Sequence, residues 1–589
     1  MREGRVRPPD ALINVATLNE VLAKRVLLSG EGSWLTLYDR DRIAATTTFR
    51  ALADSAAIWA GALSEAGVRP GDRVVMVLPT EPAFYEAYWG ILLAGAAPVP
   101  AYPPVKMSRL DEYRETLARQ IANCRAAAMV TNERLLPLVR PAAPVRTPVV
   151  IPSGAKSARP LDPVAVSPSA LGLLQYTSGS TGSQKGVMLS HGNLVANLRA
   201  IGAGAGLGPD DVAVSWLPLY HDMGLIGLML ASVYWGIPLI AASPVDFLRR
   251  PSRWLHMISR HGGTVTAGPN FAYNLVARKL KDEEINTLDL RTWRVALCGA
   301  EPIHPATVDN FTRRFAPAAF RPETFFPAYG LAENTLAVTF SDLDALPVMT
   351  ALDSAKLENT DVAERLPVAE GGKLFVSVGR PVPSVEVAIM DSRGGLLPEA
   401  RRGEVVIRGP SLTAGYFENE EATRETIIDG WLHTGDLGFR LEGLYYICGR
   451  KKDMVIKAGR NYFAEDIETA ALVVDGVRPG GLCVFSVEDP VRGTEEVVLV
   501  AEVREKRSGL EDEIKLAVSD TTGCRPDRVV LVEPRTVPKT SSGKIQRFMA
   551  KKWYLDGSLG QRQGERRTTA WWIYLKEMIK DKLGLARSK

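Results

Sequence analysis

The sequence has 589 residues, 46% of them hydrophobic and 23% charged, which is long enough for more than one globular domain with a large core. Lys and Arg total 71 against 67 Asp and Glu, a formal net charge of +4, so the strong field expected of a protein that binds nucleic acid or an anionic membrane is absent. Nucleic acid is therefore not an expected partner.

The cysteines and the first residues both indicate a reducing compartment. The five cysteines are far apart and form no CxxC pair, which favours free thiols over disulfides or a zinc site: Cys124, Cys298, Cys448, Cys483 and Cys524. Cys298 ends an apolar run and is predicted to be inert core. The opening MREGRVRPPDALINV lacks the apolar segment of a signal peptide, so a cytoplasmic location is predicted.

Strand-like runs alternate with helix-like segments through most of the chain, beginning with RVVMVLP and EPAFYEAYWGILLAG and continuing through AAMVT, GLLQYT, VAVSWLP, TVTAG and RVALCG. This alternation predicts an α/β fold whose large N-terminal domain has parallel-rich sheets covered by helices. One run, Met223 to Val245, carries no charge and is long enough to span a bilayer. Because Gly236, Pro238 and Pro244 interrupt it, we interpret it as a buried helix, a turn and a short strand.

After about Gly449 the predicted strands and helices become short, which is typical of a smaller α+β domain. We predict an N-terminal domain over 1–451, a C-terminal domain over 452–555, and a linker and helix over 556–589. The last helix, WWIYLKEMIKDKLG, is amphipathic. Its apolar face is expected to pack on the parent domain, although a membrane or a partner is an alternative.

The stretch YTSGSTGSQKG, from Tyr176 to Gly186, follows one predicted strand and precedes another. The second strand runs into a predicted helix, for which Ser190 is the expected N-cap. Its glycines allow backbone N–H groups to approach a ligand closely, and Lys185 adds a positive charge. Hydroxyl donors come from four residues: Ser178, Ser180, Thr181 and Ser183. The stretch predicts a phosphate-binding loop, and a flexible surface loop is the alternative.

Other phosphate and hydrolase motifs do not fit. Glycine rather than Ser or Thr follows Lys185, which excludes the P-loop of NTPases. GAGAGLG, Gly202 to Gly208, does not match GxGxxG, and GxSxG is missing from the sequence, which disfavours a dinucleotide-binding loop and a serine hydrolase.

Six motifs occur in the order of the adenylate-forming enzyme superfamily, which includes acyl-CoA synthetases, luciferases and the adenylation domains of peptide synthetases. They are YTSGSTGSQKG, CGAEP from Cys298, YGLAEN from Tyr329, GWLHTGDLG from Gly430, GRKKDMVIKAGRN from Gly449 and KTSSGKIQR from Lys539. LPLYHDMGLIG, from Leu217, and the GRNYFAEDIE continuation resemble fatty acyl-AMP ligases more closely. The resemblance covers nearly the whole chain before the tail.

The resemblance implies that ATP and a carboxylic acid form an acyl adenylate and pyrophosphate, after which a thiol takes the acyl group. It assigns ATP and Mg²⁺ as cofactors, with Glu333 as the metal ligand. Nucleotide contacts are implied for the loop, the adenine pocket and the ribose site: Thr177, Ser178, Gly179, Ser180, Thr181, Gly182, Lys185, Gly299, Ala300, Glu301, Tyr329, Gly330, Leu331, Ala332, Asp436 and Arg450.

Catalysis is expected from charge neutralisation and alignment, since an anion must attack another anion. By resemblance, Lys544 bridges the acyl carboxylate and the α-phosphate, and Glu333 assists. The smaller domain is expected to be mobile, with its hinge at Lys452. His221 either lies near the carboxylate or is a hydrogen-bonded structural histidine.

The thiol acceptor leaves two enzymatic alternatives. The chain carries a long stretch over about 335–376, where fatty acyl-AMP ligases have an insertion that disfavours CoA, so an acyl carrier protein with phosphopantetheine is favoured over CoA. A non-catalytic adenylate-binding scaffold is a third hypothesis. The substrate is expected to be a medium or long fatty acid, and Ala464 replaces the proline expected from family members.

Overall fold

The structure, a computed structural model, describes residues 12–104, 107, 110–177, 184–457, 460–489, 494–540 and 544–559 of the 589-residue chain. Two predicted features lie outside the described residues. One is most of the phosphate loop, Ser178 to Ser183, and the other is the amphipathic helix that begins at Trp571.

The α-helices are α1 (Leu18–Ser29), α2 (Phe49–Glu65), α3 (Pro82–Leu93), α4 (Leu110–Asn123), α5 (Leu136–Val139), α6 (Pro152–Ala155), α7 (His191–Ala205), α8 (Asp222–Gly224), α9 (Ala231–Trp235), α10 (Pro244–Arg249), α11 (Ser252–His261), α12 (Asn270–Lys279), α13 (Asp282–Ile285), α14 (Pro305–Phe315), α15 (Ser354–Thr360), α16 (Glu420–Thr426), α17 (Ala464–Ala471), α18 (Leu510–Thr522) and α19 (Arg547–Leu555).

The strands are β1 (Ser33–Asp39), β2 (Arg42–Thr48), β3 (Arg73–Val77), β4 (Ala97–Pro100), β5 (Ala128–Thr131), β6 (Val149–Val150), β7 (Leu171–Thr177), β8 (Lys185–Ser190), β9 (Ala213–Ser215), β10 (Leu239–Ala241), β11 (Val265–Gly268), β12 (Val295–Cys298), β13 (Phe325–Gly330), β14 (Ala337–Phe340), β15 (Met349–Leu352), β16 (Lys373–Val376), β17 (Arg380–Pro381), β18 (Glu386–Met390), β19 (Gly403–Arg408), β20 (Ile427–Ile428), β21 (Trp431–Leu441), β22 (Leu444–Arg450), β23 (Met454–Lys457), β24 (Arg460–Phe463), β25 (Val477–Asp489), β26 (Thr494–Val503) and β27 (Arg528–Val532).

The largest sheet has nine strands in the order β17-β14-β13-β12-β11-β9-β10-β1-β2. Its central pairs from β1 to β13 are parallel, and antiparallel strands lie at both edges. A second sheet, β4-β3-β5-β6, is parallel throughout. These sheets confirm the predicted α/β class. The carboxyl ends of β9, β11, β12 and β13 meet at one edge, the position at which open α/β sheets bind ligands.

The smaller C-terminal part has cores of its own. Strand β26 is the centre of a three-stranded sheet, in which it pairs antiparallel with β25 and parallel with β27. Helices α17 and α18 pack on this sheet. The two apolar clusters of this part contain residues from Val455 to Leu559, whereas the main cluster runs from Leu12 to Tyr445. The link between the two parts is a short 3₁₀ helix, Lys451–Asp453.

The uncharged run is buried core, as predicted. It folds as α8, a π-helix over Leu225–Leu230, α9, strand β10 and the start of α10. Gly236 ends α9 with a left-handed conformation, φ +70°, which glycine adopts without strain. In the described part of the chain, no helix combines the length and the apolar character that a bilayer crossing needs.

The helix starts follow the sequence signals. Ser190 caps α7, where its hydroxyl accepts from the N–H of Asn193 and the Asn193 side chain accepts in return from the N–H of Ser190. Ala464, which departs from the family pattern, is the first residue of α17, a position at which proline is favoured but not required.

The long stretch over 335–376 contributes β14 to the main sheet and then forms a hairpin of β15 and β16 with α15 between them. The hairpin packs on the sheet of β21 and β22, where the Phe375 ring lies 6.0 Å from that of Phe439. On its other side, α15 lies against β24, and Lys373 forms an ion pair with Asp466. The stretch therefore contacts both parts of the chain.

Candidate active site

One cleft of about 3040 Å³ lies between the carboxyl edge of the main sheet and the C-terminal part. Its lining includes every predicted site residue that the structure describes: Thr177, Lys185, His221, Gly299, Ala300, Glu301, Tyr329, Gly330, Leu331, Ala332, Glu333, Asp436, Arg450, Lys452 and Lys544. The remaining predicted residues, Ser178 to Gly182, lie outside the described residues. Motifs that are hundreds of residues apart in sequence thus meet around one space.

Asp436 is the centre of a hydrogen-bonded group on the floor of the cleft. The Tyr329 hydroxyl donates to Oδ2 of Asp436 at 2.6 Å, and Nε of Arg450 donates to Oδ1 at 3.0 Å. The arginine lies directly across the β21–β22 ladder from the aspartate, so strand register sets their pairing. The Thr434 hydroxyl accepts from the backbone N–H of Asp436 at 3.0 Å, which fixes the turn before it.

The charges in this group reinforce one another. Asp436 raises the pKa of Arg450 above its ordinary value, which keeps the guanidinium charged. Burial, followed by the Asp436 charge, raises the pKa of Tyr329 well above its ordinary value, so the phenol is neutral and can donate. The Asp436 side chain is only 8% exposed, and this exposed edge faces the cleft.

The segment after β12 has an unusual backbone. Ala300 has φ +68°, a left-handed conformation that is rare for a residue with a side chain and that often marks functional sites. A methyl group on Gly299 would approach the carbonyl oxygen of Ala328 to 2.9 Å, so this contact with β13 requires glycine. The Glu301 carboxylate accepts from the N–H of Phe271 at 2.6 Å, and burial raises its pKa.

The turn after β13 is equally constrained. A methyl group on Gly330 would lie 2.1 Å from the carbonyl oxygen of Leu336, and the N–H of Leu331 donates to the same oxygen at 2.9 Å. Ala332 then begins a 3₁₀ helix that includes Glu333. The tight turn therefore presents the Glu333 carboxylate to the cleft.

Tyr416 connects Glu333 with Lys185. Its hydroxyl donates to Oε1 of Glu333 at 2.9 Å, while Nζ of Lys185 lies 4.7 Å from the centre of its ring. Burial raises the pKa of Glu333. A carboxylate oxygen beside the phosphate loop is the hard donor that Mg²⁺ prefers. Among the described residues no group of three or more candidate metal ligands occurs.

His221 and Asp222 also line the cleft, at the start of the buried helical run. Burial, assisted by the nearby charge of Lys544, lowers the pKa of His221 to about 4, so the imidazole is neutral at physiological pH. Burial raises the pKa of Asp222, and Lys544 opposes this rise. The structure thus brings Lys544 close enough to both side chains for its charge to act on them.

Lys544 belongs to a loop that closes on itself. Its carbonyl accepts from the N–H of Thr540 at 2.8 Å, and its own N–H donates to the Thr540 hydroxyl at 3.0 Å. Lys544 is exposed and lines the cleft, and its charge opposes the rise that burial causes in the pKa of Glu301. The predicted hinge residue, Lys452, is exposed at the edge of the same cleft.

Part of the cleft lining is apolar. Side chains from the π-helix, the sheet strands and α12 form it: Leu228, Val265, Ala267, Phe271, Val295 and Leu297. The Gly227 position is narrow, because a methyl group there would lie 2.9 Å from the Leu336 side chain. Such a surface suits an apolar chain that is attached to a polar head near His221.

Sequence reasoning missed three residues that the structure adds to the site. Tyr416 and Thr434 lie outside any predicted role, and Asp222 was only quoted within a motif. The string GWLHTGDLG contains Thr434 two residues before Asp436, a spacing typical of hydroxyl-to-backbone hydrogen bonds. No comparable local signal identifies Tyr416, which reaches Glu333 across 83 residues of sequence.

Comparisons with known proteins agree with this geometry. The AMP-binding enzyme family matches residues 35–417. The medium-chain-fatty-acid–[acyl-carrier-protein] ligase JamA of Moorena producens is 33% identical over 529 residues, which are 85% of this chain and 88% of that protein. A Caulobacter vibrioides protein, provisionally named an acyl-CoA synthetase, is 32% identical over 89% of this chain and 93% of its own length.

A solved structure from work on fatty acyl-adenylate ligases of E. coli and L. pneumophila superposes with a TM-score of 0.86. It is 34% identical and covers 92% of this chain and 98% of its own. The expected family resemblance is thereby confirmed. The chain belongs to the AMP-binding enzyme family and, within the adenylate-forming enzymes, to the fatty acyl-AMP ligases.

Proposed function

We propose that this enzyme uses ATP to convert a medium or long fatty acid into acyl-AMP and pyrophosphate, and then transfers the acyl group to the phosphopantetheine thiol of an acyl carrier protein. The observation that carries the proposal is the position of Lys544. Its charge faces His221, Asp222 and Glu301 across a cleft whose floor holds Asp436.

The floor suits a nucleoside. Asp436 can accept from ribose hydroxyls while Tyr329 and Arg450 hold its carboxylate in place. The strained Ala300 segment provides exposed backbone for an adenine ring. Lys185 and the adjoining loop would then contact the β- and γ-phosphates. Each of these roles is part of the proposal.

The first step requires two anions to meet. A carboxylate oxygen of the acid bonds to the α-phosphorus while the bond from that phosphorus to the β-bridging oxygen breaks, and pyrophosphate leaves. Because no proton moves, the protein has only to align the groups and offset their charge. Lys544 supplies that charge, and a neutral His221 can donate an N–H to the acid without competing for the phosphate.

Glu333 is the residue that would hold Mg²⁺, with Tyr416 orienting its carboxylate. A bound Mg²⁺ would neutralise charge on the phosphates. The hydrogen bonds from Tyr329 and Arg450 orient the Asp436 carboxylate in the same cleft.

The second step is acyl transfer. The thiol gives up its proton to solvent, its sulfur bonds to the acyl carbon, and the bond from that carbon to the AMP oxygen breaks, so that AMP leaves with the electron pair. In this proposal the part of the chain from 452 to 555 turns about Lys452 between the steps, and the stretch over 335–376 limits that movement. The contacts of α15 with β24 and of Lys373 with Asp466 support this restriction.

Two relatives favour different acceptors, since one is named a ligase for an acyl carrier protein and the other an acyl-CoA synthetase. The doubly attached stretch over 335–376 favours the carrier protein. The hypothesis of a non-catalytic scaffold is disfavoured, because the described charged residues of the site are intact and lie around one cleft.

The test supplies ATP, Mg²⁺ and a series of fatty acids together with either CoA or a holo carrier protein, and identifies the products by mass spectrometry. Without an acceptor, we expect acyl-AMP as the product. With both acceptors tested, we expect the carrier protein to be acylated in preference to CoA. Efficient acyl-CoA formation would overturn the choice of acceptor, and a lack of acyl-AMP with every acid would overturn the proposal as a whole.

A further inference from the structure

A buried ionic cluster lies behind the Lys544 loop. The Arg547 guanidinium contacts three carboxylates, at 3.1 Å from Asp453, 3.2 Å from Glu465 and 2.9 Å from Glu468. Its side chain is only 14% exposed. A planar guanidinium has enough donors to bind several carboxylates at once, which a lysine ammonium does less well.

The three carboxylates come from two different elements. Asp453 ends the 3₁₀ helix that links the two parts of the chain, one residue after the proposed hinge at Lys452. Glu465 and Glu468 lie on α17, and Glu468 also accepts from the N–H of Val484 on β25 at 2.9 Å. Through one side chain, the start of α19 is therefore tied to the hinge, to α17 and to the central sheet of the C-terminal part.

Arg547 is also the residue at which the Lys544 loop ends. The N–H of Gln546 donates to the carbonyl of Pro538 at 2.9 Å, and Lys539 and Ile545 form a bridge, so the loop closes at its base. Lys544 lies three residues before Arg547, close to that base. The anchoring of the base thus decides where Lys544 points.

We propose that Arg547 is a positioning residue for Lys544, which holds the base of the lysine loop at a fixed place relative to the hinge. The inference rests on the adenylation chemistry proposed above. A catalytic charge that has to lie within a fraction of an ångström of its position requires such a rigid support, since small displacements cost much of the rate.

A purely structural role has to be separated from this one, because the cluster also affects stability. Burial raises the pKa of Glu465 and raises that of Glu468 to about 7, while the carboxylates outweigh burial and raise the pKa of Arg547. Loss of the guanidinium would leave buried carboxylates without a counter-charge, which destabilises a fold. A double-mutant cycle with Lys544 makes the distinction.

The cycle compares four proteins in an ATP–pyrophosphate exchange assay with a fatty acid. They are the unsubstituted parent, Arg547→Lys, Lys544→Ala and the double variant. In the parent background we expect Arg547→Lys to lower the exchange rate by up to roughly 10²-fold. In the Lys544→Ala background the same change has little further effect, because the side chain that it positions is gone. Asp453→Asn breaks only the link to the hinge and should produce a smaller loss with the same dependence on Lys544.

Arg528→Lys is the matched control, since Arg528 lies in the same part of the chain but forms an exposed pair with Glu496 at 3.1 Å. It should leave the exchange rate unchanged. Equal losses from Arg547→Lys in both backgrounds, or no loss in the parent, would overturn the positioning role. If the parent forms no acyl-AMP at all, the proposed function fails first and the positioning role falls with it.

Discussion

The two faces of the cleft hold their charged groups in different ways. On the floor, Asp436 and Arg450 lie opposite each other on β21 and β22, and Tyr329 reaches Asp436 from β13 of the main sheet. Tyr329 and Arg450 each donate directly to Asp436, so the protein itself sets the position of this carboxylate. On the opposite face, Lys544 extends from a short loop and is exposed. In the proposed function this difference corresponds to two roles: the floor would bind the nucleotide, and the loop would bring a charge to the reacting groups.

The strongest way to break this comparison is to remove the movable charge. We expect Lys544→Ala to lower ATP–pyrophosphate exchange with a fatty acid by roughly 10² to 10³-fold, the usual cost of losing one electrostatic group at a reacting centre. The KM for ATP should change much less, because the floor is intact. Equal exchange rates in variant and parent would contradict the role assigned to this lysine.

The floor is tested by Asp436→Asn. The variant keeps the shape but loses the charge that orients Arg450, and a hydrogen bond to a charged group contributes about 1.5–3 kcal/mol. The KM for ATP should therefore rise by about tenfold to a hundredfold, with a smaller change in kcat. Asp289→Asn, on an exposed residue paired with Arg291, is the matched control. A loss confined to kcat would assign Asp436 to the chemical step and would contradict its place in a preformed floor.

Tyr416→Phe addresses the link between the two phosphate-side residues. The ring that faces Lys185 remains, but the hydrogen bond to Glu333 is lost, at a cost of about 1 kcal/mol. The Mg²⁺ concentration for half-maximal activity should rise by about fivefold. Tyr446→Phe, whose hydroxyl pairs with Thr350 instead, is the control. An unchanged Mg²⁺ dependence would contradict the role of Tyr416 in orienting the Glu333 carboxylate.

The smallest expected effect concerns the support of the loop. Glu468 has a folded-state pKa of about 7, above its ordinary value, so the folded protein retains a proton that the unfolded chain has lost. Stability from this group is present at low pH and is lost as the pH rises toward 7. In Glu468→Gln the stability relative to the parent should increase by about 1 kcal/mol or more from pH 5 to pH 8, measured by denaturant unfolding. A constant difference would contradict the pKa shift.

The floor was largely predictable from sequence, whereas its connections were not. The resemblance to the adenylate-forming enzymes implied ribose contacts for Asp436 and Arg450, but no prediction covered their pairing across β21 and β22. Tyr416 lies in no quoted motif. Asp453, Glu465 and Glu468 lie within quoted motifs, but nothing local indicates that they surround Arg547. Arg547 reaches Glu468 across 79 residues of sequence, so only the packing of α17 against the loop reveals their pairing.

The sequence correctly predicted that the uncharged run from Met223 to Val245 is buried, but it did not predict that part of the run is a π-helix. An apolar run has the same composition whether its turns are α or π, and the choice depends on how it packs. The two strands that flank the predicted phosphate loop, by contrast, were predicted, and Thr177 and Lys185 pair at the end of the β7–β8 ladder.

The π-helix over Leu225–Leu230 makes the shape of the proposed acyl pocket sensitive to the number of residues in this segment of the polypeptide. A π turn accommodates one residue more than an α turn, and each residue of an ordinary helix rotates the chain by about 100°. Deleting a single residue there would restore regular winding and turn Gly227 away from Leu336 while α9 kept its place. Within this segment, a one-residue deletion would therefore reshape the space for the fatty chain more than most substitutions could.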